Sequence, residues 1–299
     1  MAYQAGAATS VADLLSALQA FCMSNGWTLR GNVLSRGACY TSLQVASGVI
    51  AMLGGTGIDG SNNLTGPGPQ TTQFASPVSG RPFVYPVTYF FHALGDEVYA
   101  IAHWGVDAYT YLGFGCSPVV GLPGTGGWYC SSYWGNPVGN LIMNGDWYQG
   151  ASVTYNGVNG TGFFWCPSYA TPGNGYVHHG LDGGTWSASS GDSSGSPGLS
   201  AKAAATAGPL LFRQPNQWNG ESLLVPVQVY IDRTSSKMSL IASMAHIRYV
   251  VIANLQPEDI ITLGSDRWRV YPFFRKGAAF APAGQDTGYL GMAIRYDGP

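Results

Sequence analysis

Charge is what this chain has least of. Its 299 residues include 13 Lys and Arg against 15 Asp and Glu, 9% in all, where a globular chain carries about 25%. A net charge of -2 and a pI near 6.2 leave no basic field to draw in a nucleic-acid backbone or an anionic bilayer. No apolar run approaches the ~18 residues of a membrane-spanning helix, so neither a membrane nor sequence-specific nucleic acid is an expected partner. The opening MAYQAGAATS lacks the basic and continuous apolar regions of a secretory leader, and synthesis in a reducing cytoplasm is expected. The five cysteines (Cys22, Cys39, Cys116, Cys130, Cys166) are odd in number, widely spaced and never in a CxxC pair. That pattern fits neither a disulfide framework nor a zinc knuckle. The glycine-rich runs lack the strand–loop–helix frame of a phosphate or dinucleotide loop. No cofactor and no metal are expected.

Glycine and aromatic residues fill the place of charge: 43 Gly, 18 Tyr, 12 Phe and 9 Trp. A neutral surface rich in Tyr and Gly suits subunit contacts, where Tyr and Trp are enriched and Lys and Glu depleted. The composition therefore points to a component of an obligate assembly.

One segment reads as helix. Ser10 is placed to cap it, with Asp13 three residues on, and Val11, Leu14, Leu15, Leu18, Phe21 and Cys22 form an apolar stripe at helical spacing. Asn25-Gly26 supplies the stop. Everything after it reads as β structure. Stretches 27–33 and 38–45 are expected strands, and 54–80, rich in Gly, Pro, Asn, Thr and Gln without periodicity, is an expected long loop or arm. From residue 83 the chain is an aromatic meander, with turns at Gly95-Asp96 and at Gly105-Val106-Asp107. The Ser/Gly/Ala tract 187–208 is an expected surface segment. Both it and 54–80 lack the apolar content to offset an ordering cost of ~1–2 kcal/mol per residue, so both are expected to be ordered by other subunits. The implied organisation is 1–53 as a helix with strands, 54–80 as loop or arm, and 81–299 as the main β part with long loops, all of it countable as a single domain. The fold class is mainly β: an antiparallel β-sandwich or distorted barrel with long Gly/Pro/Ser-rich loops and one N-terminal amphipathic helix.

Several constellations have the residue types of catalysis. Ser193 within GDSSGSPG, His103 after Ala102, and Asp96 supply a serine, a histidine and a carboxylate, yet the sequence around each departs from trypsin-like proteases. Asp96-Glu97 is an acidic pair of the kind glycosidases use, at a turn where acidic residues are ordinary. His178, His179 and Asp182 are metal-ligand types, although adjacent residues of a strand point to opposite faces. Trp128, Tyr129, Tyr133, Trp134, Trp147 and Tyr148 are candidate sugar-stacking rings, with β core and subunit interface as the plainer role. The chain is read as a non-enzyme.

The clearest alternation lies near the end. Ala245, Ile247, Tyr249 and Val251 share one face, with His246 and Arg248 on the other. Residues 260–263 and 267–273 form a hairpin around Gly264-Ser265-Asp266, and 289–296 is a last strand. Within the hairpin Trp268 and Val270 face a core together with Ile261, while Arg267 and Arg269 point outward. One of those arginines is expected to pair with a carboxylate of this chain or of an adjoining subunit, with Asp259, Asp266 and Asp297 as candidates. Trp268, Arg267, Arg269, Tyr271 and Arg295 are the candidate structural or interface residues.

The wording of this end, NLQPEDIITLGSDRWRVYPFFRK and GMAIRYDGP, resembles a group of tailed-bacteriophage virion structural proteins. The upstream GDEVYAIAHW, the LGFG at 112–115, the SSGDSSGSPG segment and the Ser-X-X-Asp-Leu-Leu helix start at Ser10 carry the same resemblance. It implies a virion component at the head–tail neck, as collar or connector, with a baseplate or tail-surface position as the alternative. A carbohydrate-binding tail module that contacts the host is the competing class. The implied partners are copies of itself in a ring and other virion proteins of the neck, tail tube or sheath, and portal side. The implied location is the virion.

Overall fold

A computed structural model describes residues 1–75, 83–134, 175–188, 201–202, 220–233, 237–276 and 290–299. The chain opens with β1 (Ala2–Ala8) and α1 (Val11–Ser24). It continues through β2 (Thr28–Arg30), β3 (Val33–Arg36), β4 (Cys39–Ala46) and β5 (Val49–Gly55). Three short strands follow, β6 (Gly57–Ile58), β7 (Leu64–Thr65) and β8 (Thr72–Phe74). The meander is β9 (Val87–Leu94), β10 (Glu97–Trp104) and β11 (Ala108–Cys116), then β12 (Gly127–Ser131) and β13 (Tyr133–Trp134). Next come β14 (Gly175–His178), β15 (Trp186–Ala188) and β16 (Ala201–Lys202). The chain finishes with β17 (Val225–Arg233), β18 (Lys237–Val251), β19 (Ile260–Leu263), β20 (Asp266–Pro272) and β21 (Leu290–Arg295).

These strands build three larger antiparallel sheets and one small β6–β7 pair. Sheet I runs β1-β9-β10-β11-β12-β14-β15, sheet II runs β13-β8-β5-β4-β3-β2, and sheet III runs β16-β17-β18-β21-β20-β19. Sheet I is the middle layer. On β9 to β11, Phe90, Leu94, Tyr99, Ile101, Tyr109 and Tyr111 enter one core, packed against Val229, Ile247, Tyr249 and Met292 of sheet III. The alternate residues Phe91, Ala93, Val98, Ala100, Leu112 and Phe114 enter a second core, packed against α1 and against Leu34, Leu43, Ile50 and Met52 of sheet II. A strand covered on both faces has no polar side to present, which is why 87–94 and 98–104 are each mostly apolar, without strict alternation. The fold is thus a β-sandwich with a shared central sheet, and among the described residues no sheet closes into a barrel. The second core draws on Ala8, Leu43, Phe91 and Phe274 alike, so the boundary expected at 53–54 runs through shared packing.

The helix follows its sequence signals. The Ser10 hydroxyl accepts from the Asp13 amide at 3.1 Å, and the Asp13 carboxylate accepts from the Thr9 amide at 2.8 Å. Leu14, Leu15, Leu18, Phe21 and Cys22 are buried, and Gly26 takes the left-handed backbone that ends the helix (φ 86°).

Three expectations need correction, and one element was not foreseen. The Ala/Gly-rich start is a strand, because β1 pairs along its whole length with β9; nothing in its own composition favours β structure. The stretch 27–33 contains a hairpin bend, since β2 and β3 pair with each other. The described part of the 54–80 span holds three short strands and is ordered by its own chain. There the Tyr129 hydroxyl donates to the Gln70 carbonyl at 2.7 Å and the Ser131 hydroxyl to the Gln73 carbonyl at 2.8 Å. Gly68 lies against the Tyr129 ring so closely that a Cβ there would fall 2.2 Å from the hydroxyl oxygen, an approach only glycine permits. In β18 the alternation breaks at Ala245, which is exposed while Met244 and Ile247 are buried. The pairing with β17 jumps there, from Pro226 opposite Arg248 to Val227 opposite Met244. Most of 187–208, including Ser193, lies outside the described residues, as do Trp147, Tyr148 and Cys166.

Candidate functional site

Because charged side chains are few, the places where they gather are informative. Two such places join sheet I to sheet III, each built around a glutamate.

Glu97 starts β10, directly after the Gly95-Asp96 turn. Its carboxylate is buried and accepts from the Tyr99 hydroxyl (2.7 Å), the Ser117 hydroxyl (3.0 Å), the Ala245 amide (2.9 Å), the His246 amide (3.1 Å) and His246 Nδ1 (2.9 Å). Trp128 Nε1 in turn donates to the Ser117 oxygen at 2.9 Å. The two amides are those exposed by the irregularity of β18, where residues 245–247 have no ladder partner on β17. Arg248 serves the other side of the same bulge, donating to the carbonyls of Met244 (3.3 Å), Ala245 (2.9 Å) and Ile247 (2.7 Å). Buried main-chain groups must find partners, and these two side chains supply them. Burial alone would raise the Glu97 carboxyl. The His246 hydrogen bond and charge, with the Tyr99 and Ala245 donors, outweigh it and hold the group below the usual carboxylate range.

Glu258 lies in the tight turn before β19. Both Glu258 and Asp259 face Val270: the Glu258 amide donates to the Val270 carbonyl at 2.7 Å, and the Val270 amide donates to the Asp259 carbonyl at 2.9 Å. Two residues against one, the first left-handed (φ 73°), is a bulge that ordinarily takes glycine at that first position. Here glutamate accepts the strain, and its carboxylate takes hydrogen bonds from Arg269 (2.9 Å) and the Tyr109 hydroxyl (3.2 Å). His103 Nδ1 stands 3.8 Å from the same carboxylate, with its ring stacked on Tyr109 (centroids 4.4 Å apart). The Arg269 guanidinium lies 5.0 Å from the Phe90 ring centre, 5.3 Å from that of Tyr3 and 5.4 Å from that of Tyr296, within cation–π range.

The five residues singled out in the sequence fall on both faces of sheet III. Trp268 is 5% exposed and packs with Val250, Ile252, Val270 and Ala293, against which Ile261 also lies. The expectation for that face holds, although this cluster is the smaller, outer one. Arg269 and Tyr271 face inward, toward sheet I, which corrects the expected outward arginine face. Arg267 donates to the Gly298 carbonyl at 2.8 Å and to the Pro299 carbonyl at 3.3 Å. Arg269 pairs with a carboxylate of the same chain, as expected of one of the two arginines, but the partner is Glu258 and none of the three aspartates named; Asp266 pairs with Arg295 instead. Asp259 accepts from the Gln256 amide at 2.6 Å. Tyr271 is buried with its hydroxyl 3.0 Å from His92 Nε2, and burial pushes the His92 imidazole down to about 3, leaving it neutral.

The other candidates are engaged elsewhere. Asp96 pairs with Arg36 at 2.9 Å, and β10 separates it from His103 by roughly 23 Å at the rise of an extended strand. Those two residues cannot share a proton relay. His178 Nδ1 accepts from the Thr125 amide at 3.0 Å, His179 bonds Ser187 Oγ through Nε2 (2.8 Å) and the Leu181 amide through Nδ1 (3.2 Å). Asp182 binds Arg233 through both carboxylate oxygens, at 2.6 and 2.8 Å. Among the described residues no three His, Cys, Asp or Glu side chains gather as a metal site. Trp128 and Tyr129 are buried, Tyr129 stacking on Tyr176 with centroids 5.0 Å apart, so neither offers a face to a sugar. Glu97 and Glu258 were missed as partners of sheet III. The available signal was their rarity: in a chain with so few carboxylates, each is worth placing.

No protein-family model matches the chain, and the search of curated proteins finds no match.

Proposed function

We propose that this chain is a structural component of a tailed-phage virion, assembling with copies of itself as a ring at the head–tail neck. The observation that carries this reading is how the scarce charges are used. Arg36, Arg233, Arg269, Arg275 and Arg295 are paired with carboxylates of the same chain, and His246 with Glu97. Among the described residues, single apolar side chains such as Val84, Val106, Val120, Leu223 and Met238 are exposed. Few solvated charges favour contact with other protein surfaces over solution as a monomer. The resemblance of the last sixty or so residues to virion structural proteins gives the assembly its kind. Gold-labelled antibody against the chain, applied to purified particles of the phage that encodes it, is expected to decorate the neck. Label at the baseplate would move the protein to the tail, and unlabelled, intact particles would overturn the virion role.

A further inference from the structure

We propose that β19 is the docking edge for a second copy of this chain. Two β19 strands pair antiparallel across a two-fold axis, and sheet III then continues from one copy into the other. The proposal rests on the self-assembly reading above and adds to the head-to-tail contacts of a ring a separate two-fold contact that joins copies in pairs.

β19 is the last strand of sheet III, and among the described residues no strand lies beyond it. Its hairpin to β20 closes with Leu263 opposite Asp266 and continues with Ile261 opposite Trp268. The next pair of the same parity, Asp259 with Val270, carries a ladder hydrogen bond. Antiparallel ladders alternate, so the amides and carbonyls of Ile260 and Thr262 point away from β20, toward the open side. The strand has no charge, proline or glycine, the usual guards of an exposed edge. Ile260 is 41% exposed and Leu263 54%. Other sheet ends are protected differently. β2, β15 and β16 are no longer than three residues. β1 is longer, but its exposed side chains are Gln4, Ala5 and Ala7, which offer little apolar area.

A second copy fits this edge because the strand is complementary to itself. The two-fold register that uses both outward residues sets Ile260 of one copy opposite Thr262 of the other, twice, for four main-chain hydrogen bonds. Ile261 then meets Ile261. These two side chains lie on the face of the Trp268 cluster, so pairing makes that small outer cluster continuous between copies. No like charges meet, since Asp259 falls opposite Leu263 and its carboxylate is already held by the Gln256 amide. Such a contact is isologous, each copy giving the same patch.

The register makes a direct test possible. Facing residues of a non-hydrogen-bonded antiparallel pair stand about 4.5 Å apart at Cα, inside the range a disulfide spans. The full chain carrying Ile261→Cys, treated with oxidised glutathione, is expected to form a covalent dimer as its main product. Wild type and Val120→Cys, a fully exposed site away from the edge, are expected to stay uncrosslinked under the same conditions. Adding Ile260→Lys to Ile261→Cys should reduce the dimer at least tenfold, with the near-ultraviolet circular dichroism of the buried aromatics unchanged. Dimer yield no greater than that of Val120→Cys overturns the edge contact. If light scattering still shows a defined oligomer in that case, the assembly reading stands and another surface carries it. A chain that remains monomeric throughout, and leaves particles unlabelled, removes both.

Discussion

Glu97 and Glu258 both tie sheet I to sheet III, yet their surroundings differ in almost every respect. Glu97 occupies a regular strand position, is buried, and accepts from five donors. The irregular backbone is on the other side, in β18. Glu258 is itself the irregular residue, left-handed, half exposed, and bonded by side chains of β11 and β20. A carboxylate shut away from water is tolerated only when protein donors replace its hydration. A half-exposed one keeps water as a partner and can accept a strained backbone with fewer protein bonds. The first is therefore a condition of the interlayer packing, and the second a reinforcement at its rim.

The largest expected effect follows from removing the buried member. Glu97→Ala leaves the Ala245 and His246 amides and the Tyr99 hydroxyl without their acceptor, and should cost about 3–5 kcal/mol in urea unfolding. A loss under ~1 kcal/mol would show that water substitutes freely and would dissolve the contrast. Trp268→Ala empties a smaller cluster at the outer face and should cost about 3 kcal/mol, at the low end for a buried tryptophan. A near-neutral result would mean that this face is not packed.

Acid sharpens the contrast without a truncation. The folded Glu97 carboxyl titrates lower than in the unfolded chain, so its stabilisation is complete above the ordinary glutamate range, about 4.3. It is lost as pH falls through the lower folded value. Glu97→Gln should flatten the acid limb of the stability–pH curve. An acid limb as steep as that of the wild type would place the coupling elsewhere.

The smallest effect concerns Glu258. Glu258→Ala should cost about 1 kcal/mol, since the ion pair is worth up to ~1 kcal/mol at half exposure and alanine keeps the left-handed strain. Glu258→Gly gives up the same pair but relieves about 1–2 kcal/mol of that strain, and should be at least as stable as the wild type. Glycine less stable than the wild type in thermal melts would show that the carboxylate contributes more than the backbone conformation costs.

Much of the local architecture was written in the sequence. The α1 stripe and its caps, the turns at Gly95 and Gly105, and the hairpin at Gly264 are short-range signals: side-chain period and turn chemistry act within a few residues. The burial of Trp268 with Val270 and Ile261 was legible in the same way. The aromatic and apolar runs of β9 and β10 marked them as meander strands, though not that both faces would be covered or by which layers. Nothing local in Ala2–Ala8 favours a strand; β9 makes it one by pairing. β21, close to the chain's final residues, lies between β18 and β20, an order no periodicity contains. The Glu97 carboxylate meets the Ala245 amide across 148 residues. The bulge that exposes this amide exists because β17 and β18 slip in register, a decision taken when whole sheets pack. Propensity and alternation are properties of neighbours along the chain. The partners of a buried charge are set by which layers come together, and for this protein only the tertiary structure held that information.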